Sequence, residues 1–159
     1  MKQYLTGDTI AAIATAMSQG GISVIRVSGP DAIAVCDTIY RSKTGIKKLK
    51  DQQSHTIHYG YIIDKDQVID EVLIMLMRAP LTYTREDVVE IDCHGGVLVT
   101  RRILEAVLGA GASLAEPGEF TKRAFLNGLI DLSQAEAVSD VIQAKSDMAL
   151  ASSVSQLRG

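Results

Sequence analysis

The stretch Val88-Val89-Glu90-Ile91-Asp92-Cys93-His94-Gly95-Gly96 carries the pattern on which the fold turns. Side chains of a strand alternate between two faces. Here Val89, Ile91 and Cys93 form an apolar face, and Glu90, Asp92 and His94 point the other way. Alternate residues of a strand stand about 6.5–7 Å apart, so the three ionisable groups form a row. Such a row is either the solvent face of a sheet or the wall of a polar pocket. Gly95-Gly96 then leads into a helix with a predicted apolar stripe of Val97, Leu104, Val107 and Leu108. Arg101 and Glu105 make an i,i+4 pair on its wet face, and Gly109-Ala110-Gly111 stops it.

Upstream, His55 to Ile63 and Val68 to Met77 read as strands joined by a hairpin turn at Asp64-Lys65-Asp66-Gln67. The second is apolar on both sides, with Val72, Ile74 and Leu76 opposed to Leu73, Met75 and Met77. That predicts cover on both faces, from the core and from either a helix or a second chain. His55 and His58 fall on opposite faces of a strand, which is wrong for a shared metal, and no metal site is expected. Thr9 to Ala14 is a small-residue apolar segment, and Gly20-Gly21 permits a turn before a strand over Ile22 to Val27. In Ser28-Gly29-Pro30-Asp31, Pro30 suits the first helical position and Asp31 the first turn of a helix running to about Tyr40. Ile33, Cys36, Ile39 and Tyr40 form its apolar side.

Arg41, Lys43, Lys47, Lys48 and Lys50 then make a basic loop, either simply solvated or in contact with RNA phosphates. Ala112 to Ala115 reads as a short strand. Pro117-Gly118-Glu119 opens a helix through Leu126 that Asn127-Gly128 ends. Ser133-Gln134-Ala135-Glu136 reads as a capping box that starts a long helix at about Leu132, with Val138, Val141, Ile142, Met148 and Ala149 as its stripe. Its stop at Leu157-Arg158-Gly159 suggests a truncated chain. The elements together predict an α+β domain, a mixed sheet packed with helices.

At 159 residues the chain has room for one domain. A net charge of -3 and a pI of about 5.6 exclude a basic nucleic-acid grip over the whole surface, though not a local patch. With no Trp and 4% aromatics, base-stacking platforms have thin support. Cys36 and Cys93, without CxxC spacing, read as small buried hydrophobes of a reduced, cytoplasmic, soluble protein. The longest apolar run, residues 72–77, is far short of the roughly 20 residues of a membrane span.

Arg26 is the single charge in Gly21-Ile22-Ser23-Val24-Ile25-Arg26-Val27-Ser28. A guanidinium in such a strand needs a carboxylate or an anionic ligand. Glu90, Asp92 and the carboxylate of a bound small molecule are its candidate partners. Phosphate-loop, GxGxxG, GxSxG and HExxH patterns are absent. The residues alone therefore leave two readings, a structural Arg–Glu pair between neighbouring strands or an anion-accepting pocket near Arg26 and Glu90.

Several stretches in order carry a resemblance: residues 8–15 (DTIAAIAT), 25–29 (IRVSG), 83–90 (YTREDVVE), 94–96 (HGG), 116–128 (EPGEFTKRAFLNG) and 131–137 (DLSQAEA). Together they resemble the N-terminal part of the tRNA uridine-5-carboxymethylaminomethyl modification GTPases, the MnmE or TrmE family. The resemblance implies a fold similar to the tetrahydrofolate-binding domain of aminomethyltransferases. It also implies a homodimer and a bound 5-formyl-tetrahydrofolate-type donor. In that family a helical domain with an inserted GTPase follows, using GTP, Mg and K, and the flavoprotein MnmG (GidA) is the partner in modifying tRNA. The implied domains here are 1–128 for folate binding and dimerisation and 129–159 for the start of the helical domain.

Arg26 and Glu90 match folate-contacting positions of the family, and Leu129 stands at a third, where the family pattern carries Lys or Arg. The loss of that cation implies weaker binding by roughly 1–3 kcal/mol if the group is desolvated. The GTPase motifs are not in the chain, and neither Cys36 nor Cys93 matches the family's functional cysteine. Two alternatives are a stand-alone one-carbon transferase using Asp92 or His94 as acid or base, and a dimerisation module without folate.

Overall fold

Strand alternation in the 88–94 stretch becomes the centre of a seven-stranded sheet in the computed structural model. The structure describes residues 7–16, 21–128, 130–134, 136–138, 140–141 and 143–144. The strands are β1 (Ile10–Ile13), β2 (Ile22–Ser28), β3 (Tyr40–Arg41), β4 (Thr56–Asp64), β5 (Gln67–Met77), β6 (Val88–His94) and β7 (Ser113–Leu114). Helix α1 (Ala32–Ile39) follows β2, α2 (Val97–Gly109) follows β6, α3 (Glu119–Leu126) follows β7, and a 3-10 turn spans Leu49–Asp51. The sheet order is β3-β4-β5-β6-β2-β1-β7. Its neighbours are antiparallel except β1 and β7, which run parallel. The architecture is α+β, with a mixed sheet packed with helices.

One face of the sheet makes the core. Ile25 and Val27 of β2, Val89 and Ile91 of β6, and Ile74 and Leu76 of β5 are buried with Ile33 and Cys36 of α1 and Ile103 and Val107 of α2. The opposite face carries Arg26, Glu90, Asp92 and Leu73, and register aligns them: Arg26 faces Glu90, and Asp92 lies between Val24 and Leu73. On this side Leu73, Ile22, Ile57 and Tyr59 are exposed, so among the described residues β5 is covered on one face at Leu73, while Met77 near its end lines a cavity with Phe120. The hairpin between β4 and β5 closes at Lys65 and Asp66, both with positive φ, as a two-residue primed turn requires.

Several elements differ from expectation. Helix α1 begins at Ala32, not Pro30: the Asp31 N–H is taken by Thr9 Oγ1 at 2.9 Å, and Asp31 becomes the N-cap. The buried side of α2 is Thr100, Ile103, Ala106 and Val107, while Val97, Leu104 and Leu108 sit at its margins. Thr100 is tolerated inside because its hydroxyl donates back to the Gly96 carbonyl at 2.8 Å. His55 precedes β4 with a φ of 62° and pairs with Ser54 and the Leu81 carbonyl, whereas His58 is buried beside Thr56 and Lys47. Arg41 belongs to β3, and the basic loop ends in a 3-10 turn anchored by fully buried Leu49. The reciprocal cap near the C-terminus joins Asp131 and Gln134, rather than Ser133 and Glu136. Val138 and Val141 of the predicted stripe are exposed. Gly20, Leu129, Ile142, Met148, Ala149 and the terminal Leu157-Arg158-Gly159 lie outside the described residues.

Gly29 sits at a tight backbone junction. Its φ is 143°, and a Cβ there would stand 2.6 Å from the Thr9 Cα. Thr9 in turn supplies the hydroxyl that accepts from Asp31. Gly29→Ala therefore combines backbone strain with a backbone clash, and is expected to lower the unfolding free energy by about 1–3 kcal/mol. Gly45→Ala, with a φ of 79° but open space around it, carries the strain alone and is expected to lose less. Urea unfolding of both variants measures the difference.

Candidate ligand-binding site

Antiparallel pairing of β2 with β6 places Arg26 opposite Glu90. Arg26 Nε donates to Glu90 Oε2 at 2.7 Å, with the two side chains 35% and 18% exposed. The guanidinium also lies 5.5 Å from the centroid of the Phe120 ring, contributed by α3. Between the two carboxylates open to it, Arg26 takes Glu90 rather than Asp92. The pair forms one wall of a cavity of about 490 Å³, whose other walls include Met77, Tyr83, Val88, Phe120 and Thr121. That volume falls among ordinary small-molecule sites, and its mainly apolar lining with one ion pair is their usual chemistry.

The row of ionisable groups on β6 divides among different environments. Asp92 and His94 line a separate cavity of about 390 Å³ with Ile22, Tyr59 and Leu73. Asp92 Oδ1 is buried and has no hydrogen-bond partner among the described residues. Burial, and then the Glu90 charge, raise the Asp92 pKa. His94 is an exposed side chain whose Nδ1 lies 2.8 Å from Asp70 Oδ1. The hydrogen bond to Asp70, followed by that residue's charge, raises its pKa. Burial is the main reason the thiols of Cys36 and Cys93 are held above their ordinary range, Cys93 at about 11; both are free and buried.

The residues that hold the first cavity in shape were not singled out by sequence pattern. Arg123 and Glu86 are each 6% exposed. Arg123 Nη1 donates to both Glu86 carboxylate oxygens, at 2.9 and 3.2 Å, and Nη2 donates to the Asp8 carbonyl at 2.6 Å. The Ser28 hydroxyl donates to Glu86 at 3.0 Å and lies 2.7 Å from Thr84 Oγ1. Asn127 Nδ2 donates to the Thr84 carbonyl, and the Tyr83 hydroxyl lies 3.2 Å from Thr121 Oγ1. Loop 82–87, the end of β2, the approach to β1 and helix α3 are thereby tied together. This linkage sets Tyr83 and Phe120 on the cavity wall. Arg123 lies one turn after Glu119, and its burial appears only once Glu86 is brought to it. Leu129, the third expected site residue, lies outside the described residues.

Comparison with known proteins agrees with this site's motifs. The family model for the GTP-binding protein TrmE N-terminus matches residues 9–129. The chain is 62% identical over 152 residues to the tRNA modification GTPase MnmE of Lachnoclostridium phytofermentans, covering 96% of this chain and 33% of that relative. It is 58% identical over 154 residues to the protein of that name from Geobacillus thermodenitrificans, and 55% identical over 154 residues to the one from Bacillus subtilis, with the same coverage in both. The chain thus spans about a third of the length of the curated relatives it matches.

Two outcomes test this arrangement. Arg123→Ala leaves the Glu86 carboxylate buried and unpaired, and is expected to cost about 3–5 kcal/mol in urea unfolding. Asp92 behaves oppositely. Its raised native pKa means that the folded state loses stability as pH rises through that pKa. Asp92→Asn is therefore expected to raise the melting temperature at neutral pH, with the gain vanishing below the ordinary carboxylate value of 3.8. Thermal melts from pH 7 downward measure it.

Proposed function

The chain belongs to the TrmE N-terminus family, and on that premise we propose that it binds a 5-formyl-tetrahydrofolate-type donor and pairs with a second copy of itself. The observation that carries the folate reading is the Arg26–Glu90 pair on the wall of a cavity that also holds an aromatic ring. A pterin presents ring N–H and amino donors, which a carboxylate accepts, on a flat face that packs against an aromatic side chain. Glu90 would take those donors, Phe120 and Tyr83 would border the ring, and Arg26 would orient Glu90 and hold negative charge of the ligand. The bound folate would supply the one-carbon unit, and these residues would bind and orient it. Leu129 would contribute no charge.

The stand-alone transferase reading has less support, because Asp92 and His94 line a different cavity from Arg26 and Glu90. Pairing of two copies is supported by the exposed side of the sheet, where Tyr59 lies opposite Leu73 and Ile57 opposite Met75, with Ile57 65% exposed and Leu73 45%. Within the longer protein, residues 1–128 would be the folate and dimer domain and 129–159 the opening of a helical domain. GTP, Mg and K would bind in the GTPase part, with MnmG and tRNA as cytoplasmic partners. Among the described residues, no helix is long and apolar enough to cross a membrane.

Calorimetric titration with 5-formyl-tetrahydrofolate is expected to give binding that falls at least tenfold in Glu90→Ala. Leu129→Arg is expected to tighten it by about 1–3 kcal/mol. No heat from either the native chain or Leu129→Arg overturns the folate reading. Light scattering at micromolar concentration is expected to give a dimer mass that Leu73→Lys halves, and a monomeric native chain overturns the pairing.

A further inference from the structure

Asp92 lies outside the cavity that Arg26 and Glu90 border, on the outer side of the sheet. In register it stands between Val24 of β2 and Leu73 of β5. Its Oδ1 is shut off from solvent and meets no hydrogen-bond donor among the described residues. A buried carboxylate oxygen without a donor is unfavourable, and protonation relieves the cost. The cavity of about 390 Å³ around it is built from Ile22, Tyr59, Glu71, Leu73 and His94.

The charged and titratable side chains that share this face with Asp92 are engaged with one another. On β2, Arg26 Nε donates to Glu90 of β6 at 2.7 Å. On β4, the Tyr59 hydroxyl donates to Glu71 of β5 and lies 3.4 Å from the Tyr61 hydroxyl. On β6 itself, His94 Nδ1 lies 2.8 Å from Asp70 Oδ1 of β5. Among the described residues Asp92 forms no ion pair. Burial and the nearby Glu90 charge both raise its pKa, and no donor on its own face offsets them.

The same face carries the exposed apolar groups Ile22, Ile57, Tyr59 and Leu73. An isologous contact sets one patch against its own copy. Each copy then brings its own Glu71, Glu90 and Asp92, together with an Arg26 already held by Glu90. Covering the face strips the remaining water from Asp92 without adding a new kind of cation, so the neutral carboxyl suits the contact best. We propose that pairing of two copies takes up a proton at Asp92 of each, so that acidification tightens the dimer and alkali loosens it. The inference rests on the pairing proposed above and adds its regulation. The paired state holds the proton more firmly than the free chain. Affinity therefore falls as pH rises through the Asp92 pKa of the pair, and no further gain comes below that of the free chain.

Light scattering over a concentration series at pH 6, 7 and 8 measures the dimer dissociation constant. For the native chain it is expected to rise at least tenfold from pH 6 to pH 8, with a limiting slope of about two decades per pH unit when both copies take up a proton. Asp92→Asn, a neutral isostere, is expected to hold the native pH 6 affinity at all three values. His94→Gln is expected to keep the native pH dependence, because the imidazole is engaged by Asp70 within its own chain. Leu73→Lys is expected to stay monomeric throughout, which separates pairing from general association near the pI of about 5.6. A native dissociation constant unchanged between pH 6 and pH 8, a dependence that persists in Asp92→Asn, or one lost in His94→Gln overturns the proposal. Association of Leu73→Lys like that of the native chain overturns the face. A native chain that is monomeric at all three pH values overturns the pairing and this inference with it, so the two failures are told apart.

Discussion

A guanidinium and a carboxylate, both almost removed from water, hold this molecule's functional end together. Arg123 and Glu86 come from a helix and a loop 37 residues apart in sequence, and neither charge is stable in that environment without the other. The Glu86 carboxylate also accepts from Ser28, and Arg123 reaches the Asp8 carbonyl. Loop 82–87 is therefore fixed against the end of β2, and α3 against the start of the sheet. Tyr83 and Phe120 take their places on the cavity wall as a consequence. A buried ion pair is weak evidence for added stability; here its value lies in geometric definition, because each polar atom has one arrangement of partners that satisfies it.

A second ion pair has the opposite character. Arg26 and Glu90 are brought together by strand register, and they keep partial contact with solvent. The cation is also placed near an aromatic face. A pair in this setting has enough exposure to meet a ligand and enough burial to make the encounter selective. The division between the two pairs is thus physical: one closes the scaffold and the other borders the space that the scaffold encloses.

The sheet separates two chemistries. Its inner side is a continuous aliphatic core under α1 and α2, while its outer side mixes charge with exposed Ile22, Ile57, Tyr59 and Leu73. A basic cleft lined by Lys48, Lys50 and Arg78 adds a third environment, anchored by Leu49 and Arg78 rather than by the sheet core. Small, separately anchored surfaces of this sort let one domain present an apolar face, a cavity of about 490 Å³ and a cationic cleft side by side.

Local pattern was enough for much of this. Two-residue alternation identified β6 and its polar row, polar punctuation at Asp64-Lys65-Asp66-Gln67 identified the hairpin, and Pro117 to Asn127 bounded α3, because each of these signals is set by backbone geometry within a few residues. The lone Arg26 in an apolar strand announced a partner for the same reason. Its choice of Glu90 over Asp92 depended on the register of β2 against β6, which local sequence does not specify. Tertiary contacts likewise shifted the buried side of α2 toward Thr100 and Ile103, since its back-bonded hydroxyl let Thr100 go inside. They moved the cap to Asp131 and Gln134, and buried Arg123 against Glu86. Sequence alone determined β2, β4, β5 and β6, the hairpin turn and the motifs of the family. The tertiary structure decided which charges meet and which are buried, because desolvation and pairing depend on residues far apart in the chain.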